Sequence, residues 1–446
     1  MENEELNRRR ARRQELRAQR QKQQNALILK LSIIAAVVVM TVTVVLIVIV
    51  SRSRPQPQPT EPVVTQTQPQ ATEDTQPPTT LPPETEPPET EPPMFTEPPH
   101  EEGKSVVHFI ATGDLNITDN VVASGGEMQD YGAAFLDVLP LLANGDLTTV
   151  NLEGNVIGAP YGSAYKSVPQ SMLVALKRAG VDLIQMANSC SIYNGVAGLS
   201  ATLDAIEAAG LQSIGAFRSR DEFRRTGGYT IREINGIKIA IVGFTKGMDS
   251  MGLPSGSENC VNVLYKDYDS TYQRVDTEGI TNLLDAVAED KPDIVIALVH
   301  WGSEYNDKIS TSQQTIENLL LDNGVDAIIG THSHFVQQMK LDREKGTFVA
   351  YSLGDFFGDA QRAGTEYSVI LDLKITKDLE SGETRVEDFS YTPIFTVHEA
   401  DKPLRVVRIE DAMHAYEENF VDSVSRETYD AMVYALKRIE ARIKGE

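Results

Sequence analysis

The chain has 446 residues, with 41 Lys plus Arg against 64 Asp plus Glu and a formal net charge of -23. It is too long for one small module, and its acidity argues against a nucleic-acid partner. The charge is unevenly placed: residues 1–54 carry 11 basic and 4 acidic side chains, residues 55–103 none and 10, and residues 104–446 30 and 50.

Residues 1–30 form a basic tail containing Arg8, Arg9, Arg10, Arg12, Arg13, Arg17, Arg20, Lys22 and Lys30. Leu31 to Val50 comes next with no charged residue, and about twenty apolar residues is the helical span of a bilayer core. Only Arg52 and Arg54 flank its far side, so the tail is expected in the cytoplasm and everything after Val50 outside the cell membrane. A cleaved signal peptide is the alternative. The apolar run exceeds an ordinary signal core, and no small-x-small site lies after it, which favours an uncleaved anchor.

Residues 51–103 hold 15 of the 22 prolines, mixed with Thr, Glu and Gln. Such a segment has little to bury and is expected to be a disordered, extended linker, either a spacer of set length or a plain tether. From residue 104 to about 400 the pattern becomes that of an α/β layered domain. Strands are expected at Val106–Thr112, Leu147–Leu152, Leu183–Met186, Ile237–Thr245, Ile294–His300 and Ala327–Gly330. Helical spacing falls between most of them, at Ser171–Ala179, Leu199–Ala209, Thr277–Ala288 and Gln313–Asn323. Phe348–Ser352, Ser368–Ile375 and Asp388–Val397 read as strands without intervening helices, implying a later antiparallel or mixed sheet. Residues 401–446 form a C-terminal helical segment, with helices at Glu410–Asn419 and Arg426–Lys444. Cys190 and Cys260 are too few for a disulfide scaffold, and either one bridge or two unpaired core thiols fits the sequence.

Polar residues cluster directly after the apolar strands, where open α/β sheets bind ligands. They are Gly113-Asp114, Asn151-Leu152-Glu153, Ala187-Asn188-Ser189-Cys190, His300-Trp301-Gly302-Ser303-Glu304 and Gly330-Thr331-His332-Ser333-His334. Carboxylate, amide and imidazole donors without a cysteine pair suit Mn, Fe or Zn. In the pair His332-x-His334 two imidazoles would face one way in an extended backbone.

These motifs, with Tyr351-Ser352-Leu353-Gly354-Asp355-Phe356, resemble the CapA family of poly-γ-glutamate capsule biosynthesis proteins, a branch of the calcineurin-like metallophosphatase superfamily. The resemblance runs from about Val106 to Phe357. It implies a four-layer α/β/β/α sandwich, a divalent-metal cleft, and a role in making or anchoring an extracellular capsule, with the polymer and other capsule-synthesis subunits as partners. It places Asp114, Glu153, Asn188, His300, His332 and His334 at metal positions, and Lys166 and Glu304 at substrate-binding ones. Cys190 stands where the family has a histidine that is a general-acid candidate in metallophosphatases, so the catalytic assignment is left open. A metal-dependent hydrolase of another polymer or phosphoester, and a non-catalytic binding ectodomain, are the alternatives.

Overall fold

The computed structural model describes residues 103–446, except 361, 401 and 422. The expected anchor at Leu31–Val50 and the linker before residue 103 lie outside the described residues. Among the described residues, no helix is long and apolar enough to cross a membrane.

Among the described residues, fourteen strands form two sheets. The first runs β14-β13-β12-β1-β2-β3-β4, and β11 pairs with β1 beyond its register shift. Its central strands are β1 (Lys104–Asn116), β2 (Leu147–Glu153), β3 (Leu183–Gln185) and β4 (Gln212–Ile214), all parallel. The second sheet runs β5-β6-β7-β8-β10-β9, with β5 (Thr230–Ile234), β6 (Ile237–Thr245), β7 (Ile294–His300), β8 (Ala327–Thr331), β9 (Met339–Asp342) and β10 (Thr347–Ala350). The strands β11 (Asp355–Phe357), β12 (Tyr367–Asp378), β13 (Thr384–Val397) and β14 (Arg405–Arg408) complete the first sheet. Short helices α1 (Asp119–Ala123) and α2 (Leu139–Ala143) precede α3 (Gln170–Arg178), α4 (Gly195–Ala208), α5 (Arg220–Thr226), α6 (Thr277–Glu289), α7 (Thr311–Asp322), α8 (Ile409–Glu417) and α9 (Arg426–Lys444).

Three cores separate four layers. Along β6, Ile239 and Ile241 enter the central core with Phe109 and Leu183 of the first sheet, while Ala240 and Val242 face outward. Both faces of the strand are buried, which is why it reads as a continuous apolar run rather than an alternating one. Outside the second sheet, Ile280, Leu284 and Val287 of α6 and Ile316 and Leu320 of α7 close the outer core. On the opposite side, Leu173 and Leu176 of α3 and Leu199, Leu203 and Ile206 of α4 pack with Val150, Leu152 and Ile184. The result is an α/β/β/α sandwich.

The expected later sheet is not separate. Strands β12, β13 and β14 are antiparallel to one another, but β12 pairs with β1 and extends the first sheet. Phe348–Ser352 instead supplies β10, which runs parallel to β8 and antiparallel to β9. The terminal helices share the central core through Ile409, Met432, Ala435, Ile439 and Ile443. Cys190 and Cys260 are both buried and unpaired.

Candidate metal centre

The parallel strands deliver their carboxyl ends to one edge, and local irregularities aim the side chains. Strand β1 carries a bulge: Ala111 pairs with Thr149, yet Asp114 pairs with Asn151, so β1 spends one more residue than β2. Such a bulge re-aims the side chains just beyond it. Gly113 lies in it, packed so closely that a Cβ there would come within 1.7 Å of the Gly354 carbonyl oxygen. Asp114 N donates to that same oxygen at 3.0 Å.

Asp114 is fully buried, and its carboxylate accepts from Asn151 Nδ2 at 2.6 Å and from His332 N at 3.0 Å. Burial pushes its carboxyl up to about 6, with His334 acting against the rise. Glu153, at the end of β2, is pushed further, to about 8, by burial and then by the charge of Asp114. Its Oε1 is buried with no hydrogen-bond partner among the described residues, and lies 3.3 Å from His300 Nε2.

His300 ends β7. Its Nδ1 is 2.9 Å from the Thr331 hydroxyl, which fixes the ring so that Nε2 faces Glu153 and the Ser189 hydroxyl at 3.1 Å. The His300 and His332 rings lie 4.5 Å apart, and burial holds both pKa values well below the ordinary histidine value. Both are therefore neutral imidazoles with a lone pair to offer. His334 is different. Burial lowers its pKa, but the carboxylates of Asp355, Glu153 and Asp114 outweigh it and keep the ring protonated well above its usual range. Its Nδ1 is 2.7 Å from Asp355 Oδ1, and its ring stacks on Tyr305 at 5.0 Å.

Among the described residues two groups of ligand atoms emerge, Asp114–Glu153–His334 and Glu153–His300–His332, with Glu153 common to both. Within each group the atoms lie within 4.8 Å of one another. An orphaned buried carboxylate oxygen between neutral imidazoles fits a divalent cation, and the O/N donor set excludes sites built on thiolates.

The expected extended backbone at His332-x-His334 is not what brings these rings together. The segment leaves β8 in a turn, with φ of 90° at His332 and 58° at His334. Only a few per cent of non-glycine residues hold such angles, and histidine is among the types that do so more often. Asn188, expected at a metal position, lies buried at the site with its side chain hydrogen-bonded to its surroundings. Its carboxamide is committed locally, accepting from Cys190 N at 2.9 Å and donating to Leu152 O at 2.7 Å and Asn151 Oδ1 at 3.0 Å. The neighbouring Ser189, not Asn188, presents its oxygen to the histidines. Asn188 sets the turn that aims Ser189.

Of the two expected substrate-binding residues, Lys166 holds Nζ 3.1 Å from Asn116 Oδ1, and its charge lowers the Glu153 pKa. Glu304 is exposed and lines a cleft of about 380 Å³ that opens onto His332 and Ser189. Cys190 is buried, and its thiol stays neutral because burial, then the charge of Glu153, raises its pKa well above the usual value. Asp355 and Lys246 join the site without having been expected there. In the sequence Asp355 shows only as one position of the Tyr351–Phe356 motif, with no role attached to it, and Lys246 belongs to no motif at all.

A family profile described as "Bacterial capsule synthesis protein PGA_cap" matches residues 108–360, more than half the chain. The chain belongs to that family. Among its relatives, the capsule biosynthesis protein CapA of Bacillus anthracis is 27% identical over 249 residues, covering 54% of this chain and 57% of that one. The PGA biosynthesis protein CapA of Bacillus subtilis is 26% identical over 282 residues, covering 61% and 67%. The match thus spans a little over half of the first relative and about two thirds of the second. Solved structures with some likeness include the calcineurin-like phosphoesterase YfkN from Bacillus subtilis, at 17% identity and TM-score 0.40, covering 76% of this chain and 97% of that one. Another is a phosphatase from Mycoplasma pneumoniae, at 16% and 0.41, covering 65% and 94%. Every side chain of the metal cluster falls inside the segment the family profile matches.

Proposed function

We propose that this PGA_cap-family protein is a membrane-anchored, extracellular CapA-like component of poly-γ-glutamate capsule biosynthesis or anchoring, with a divalent-metal cleft at its strand ends. The observation that carries the reading is the family match over residues 108–360, which contain the whole convergent Asp/Glu/His cluster. The anchor is Leu31–Val50, read from its apolar run with the basic tail on the cytoplasmic side. Asp114, Glu153, His300, His332 and His334 would hold the metal, of which Mn, Fe or Zn suits the donors. A cation bound there would supply positive charge to draw in and polarise a phosphoryl or carbonyl oxygen.

The chain's own residues prepare that role. Thr331 and Asp355 orient His300 and His334, Asn151 spaces Asp114 from His300, and Trp301 locks the strand end by donating Nε1 to Tyr351 O at 2.9 Å. A second reading, a metal-dependent hydrolase of another polymer or a phosphoester, draws on the carboxylate shared by the two ligand groups. Against it stands Cys190, a buried neutral thiol where the general-acid candidate would be. The test is elemental analysis of the purified chain together with capsule assay in cells carrying His300→Ala plus His334→Ala. Bound Mn, Fe or Zn and loss of capsule are expected. Unchanged capsule would remove the cleft from the function, and turnover gained by Cys190→His would favour the hydrolase.

A further inference from the structure

The cleft beside the metal cluster has a charge pattern of its own. It is lined by Ser189, Lys246, Asp249, Tyr272, Glu304 and His332, among others. Lys246 comes directly after β6. Its backbone N donates to His300 O at 2.8 Å, its Nζ donates to Gly302 O at 2.9 Å, and the ammonium lies 4.8 Å from the Tyr272 ring centre. The lysine is thereby fixed at the cleft wall. Asp249 and Glu304 are both exposed, and neither has a hydrogen bond or ion pair among the described residues. They line the same cleft as Lys246, which places all three around one space.

One anchored cation facing two unpaired carboxylates is a poor seat for the interior of a polyanion. An interior unit of a γ-linked glutamate chain offers one carboxylate and no cation, so Asp249 and Glu304 would meet like charge. The amino-terminal unit is different, because it carries an ammonium next to its carboxylate. The ammonium complements Asp249 and Glu304, and the carboxylate complements Lys246 and the metal side of the cleft. The volume of about 380 Å³ lies near the lower end of the roughly 300–1,000 Å³ of small-ligand sites, which suits one or two units rather than a long strand.

We propose that this cleft recognises the free amino end of the acidic polymer, an ammonium beside a carboxylate, through Asp249, Glu304 and Lys246. The inference rests on the poly-γ-glutamate reading above and narrows it from the polymer to its terminus.

The test is calorimetric titration of the purified full-length chain in detergent with tri-γ-glutamate, and with the same trimer N-acetylated. Acetylation removes the ammonium and leaves every carboxylate. The free-amine trimer is expected to bind about tenfold or more tightly than the acetylated one. In Asp249→Asn combined with Glu304→Gln that preference should disappear, with metal content and melting temperature unchanged. Equal binding of the two trimers would overturn the terminus assignment and leave the polymer reading intact. Binding of neither would overturn both, and a preference that survives in the double variant would overturn the assignment to these two carboxylates.

Discussion

Glu153→Gln gives the sharpest test of the metal centre, because the same carboxyl that serves both ligand groups destabilises the metal-free fold. The carboxyl has a folded value of about 8 against an ordinary 4.5, so at pH values between the two the folded chain holds a proton that the unfolded chain has released. Stability therefore falls as pH rises through that window. His300 and His332 act in the opposite sense, since they stay neutral in the fold while the unfolded chain protonates them, but their effect ends near the unfolded value of 6.5. His334, raised by its carboxylates, stabilises most below pH 6.5 and loses that contribution as pH climbs toward its folded value, the same direction as Glu153. Between pH 6.5 and 8 the loss due to Glu153 amounts to about 2 kcal/mol, from 1.36 kcal/mol per unit over roughly 1.5 units. In chelator-treated protein, urea unfolding at the two pH values should show this drop in the wild type and a drop smaller by about 2 kcal/mol in Glu153→Gln. Identical pH slopes in the two proteins would refute the claim that Glu153 is a buried, metal-starved carboxyl.

Asp355→Asn removes the carboxylate 2.7 Å from His334 Nδ1, so the His334 ring should titrate at lower pH by NMR and metal affinity should fall about 10–100-fold. Gly113→Ala places a methyl group against the Gly354 carbonyl, and the strand must move away. A loss of about 2–4 kcal/mol in urea unfolding is expected, accompanied by weaker metal binding because Asp114 is displaced. Asp307→Asn strands the guanidinium groups of Arg438 and Arg442, which its carboxylate meets at 3.1 and 3.4 Å. Arg442 is 8% exposed, so the cost should be about 1–3 kcal/mol, more than that of Arg442→Met, which removes the buried charge as well.

The sandwich was largely legible because its central strands are buried on both faces. Ile237–Thr245 and Ile294–His300 read as unbroken apolar runs, and the structure returns those same bounds for β6 and β7. The strands that escaped are short or edge elements. Gln212–Ile214 has three residues, and Thr230–Ile234 interleaves Arg232 and Glu233 with its apolar positions, leaving too little period to detect. Pairing was harder still, since nothing local in Ser368–Ile375 states that it will lie beside β1, about 260 residues earlier in the chain. At the site, residue types were readable and orientations were not. Asn188 and Ser189 are adjacent polar residues, and only the turn that Asn188 itself caps decides which of them faces the histidines. Likewise the convergence of His332 and His334 comes from positive φ angles that no residue in that segment advertises.

The domain's acidity and its proposed acidic ligand are reconciled at the cluster, not over the surface. Residues 104–446 carry 50 acidic against 30 basic side chains, a field that repels a polyanion at long range. Within the cleft, Asp114, Glu153 and Asp355 face one protonated imidazole, with Lys166 close enough to lower the Glu153 and Asp355 pKa values. Without a cation that inventory is at best neutral, and a further carboxylate gains little by entering. A divalent ion among Glu153, His300 and His332 changes the local sign while the surface stays acidic. Binding of tri-γ-glutamate should therefore depend on metal rather than on surface lysines: chelation should weaken it at least about tenfold, and re-addition of Mn or Zn should restore it. Added monovalent salt should weaken the long-range repulsion more than the contact itself, leaving metal-loaded affinity level or slightly improved. Binding that persists in chelator and collapses with salt would place the polymer on an exposed basic patch and take the metal centre out of its recognition.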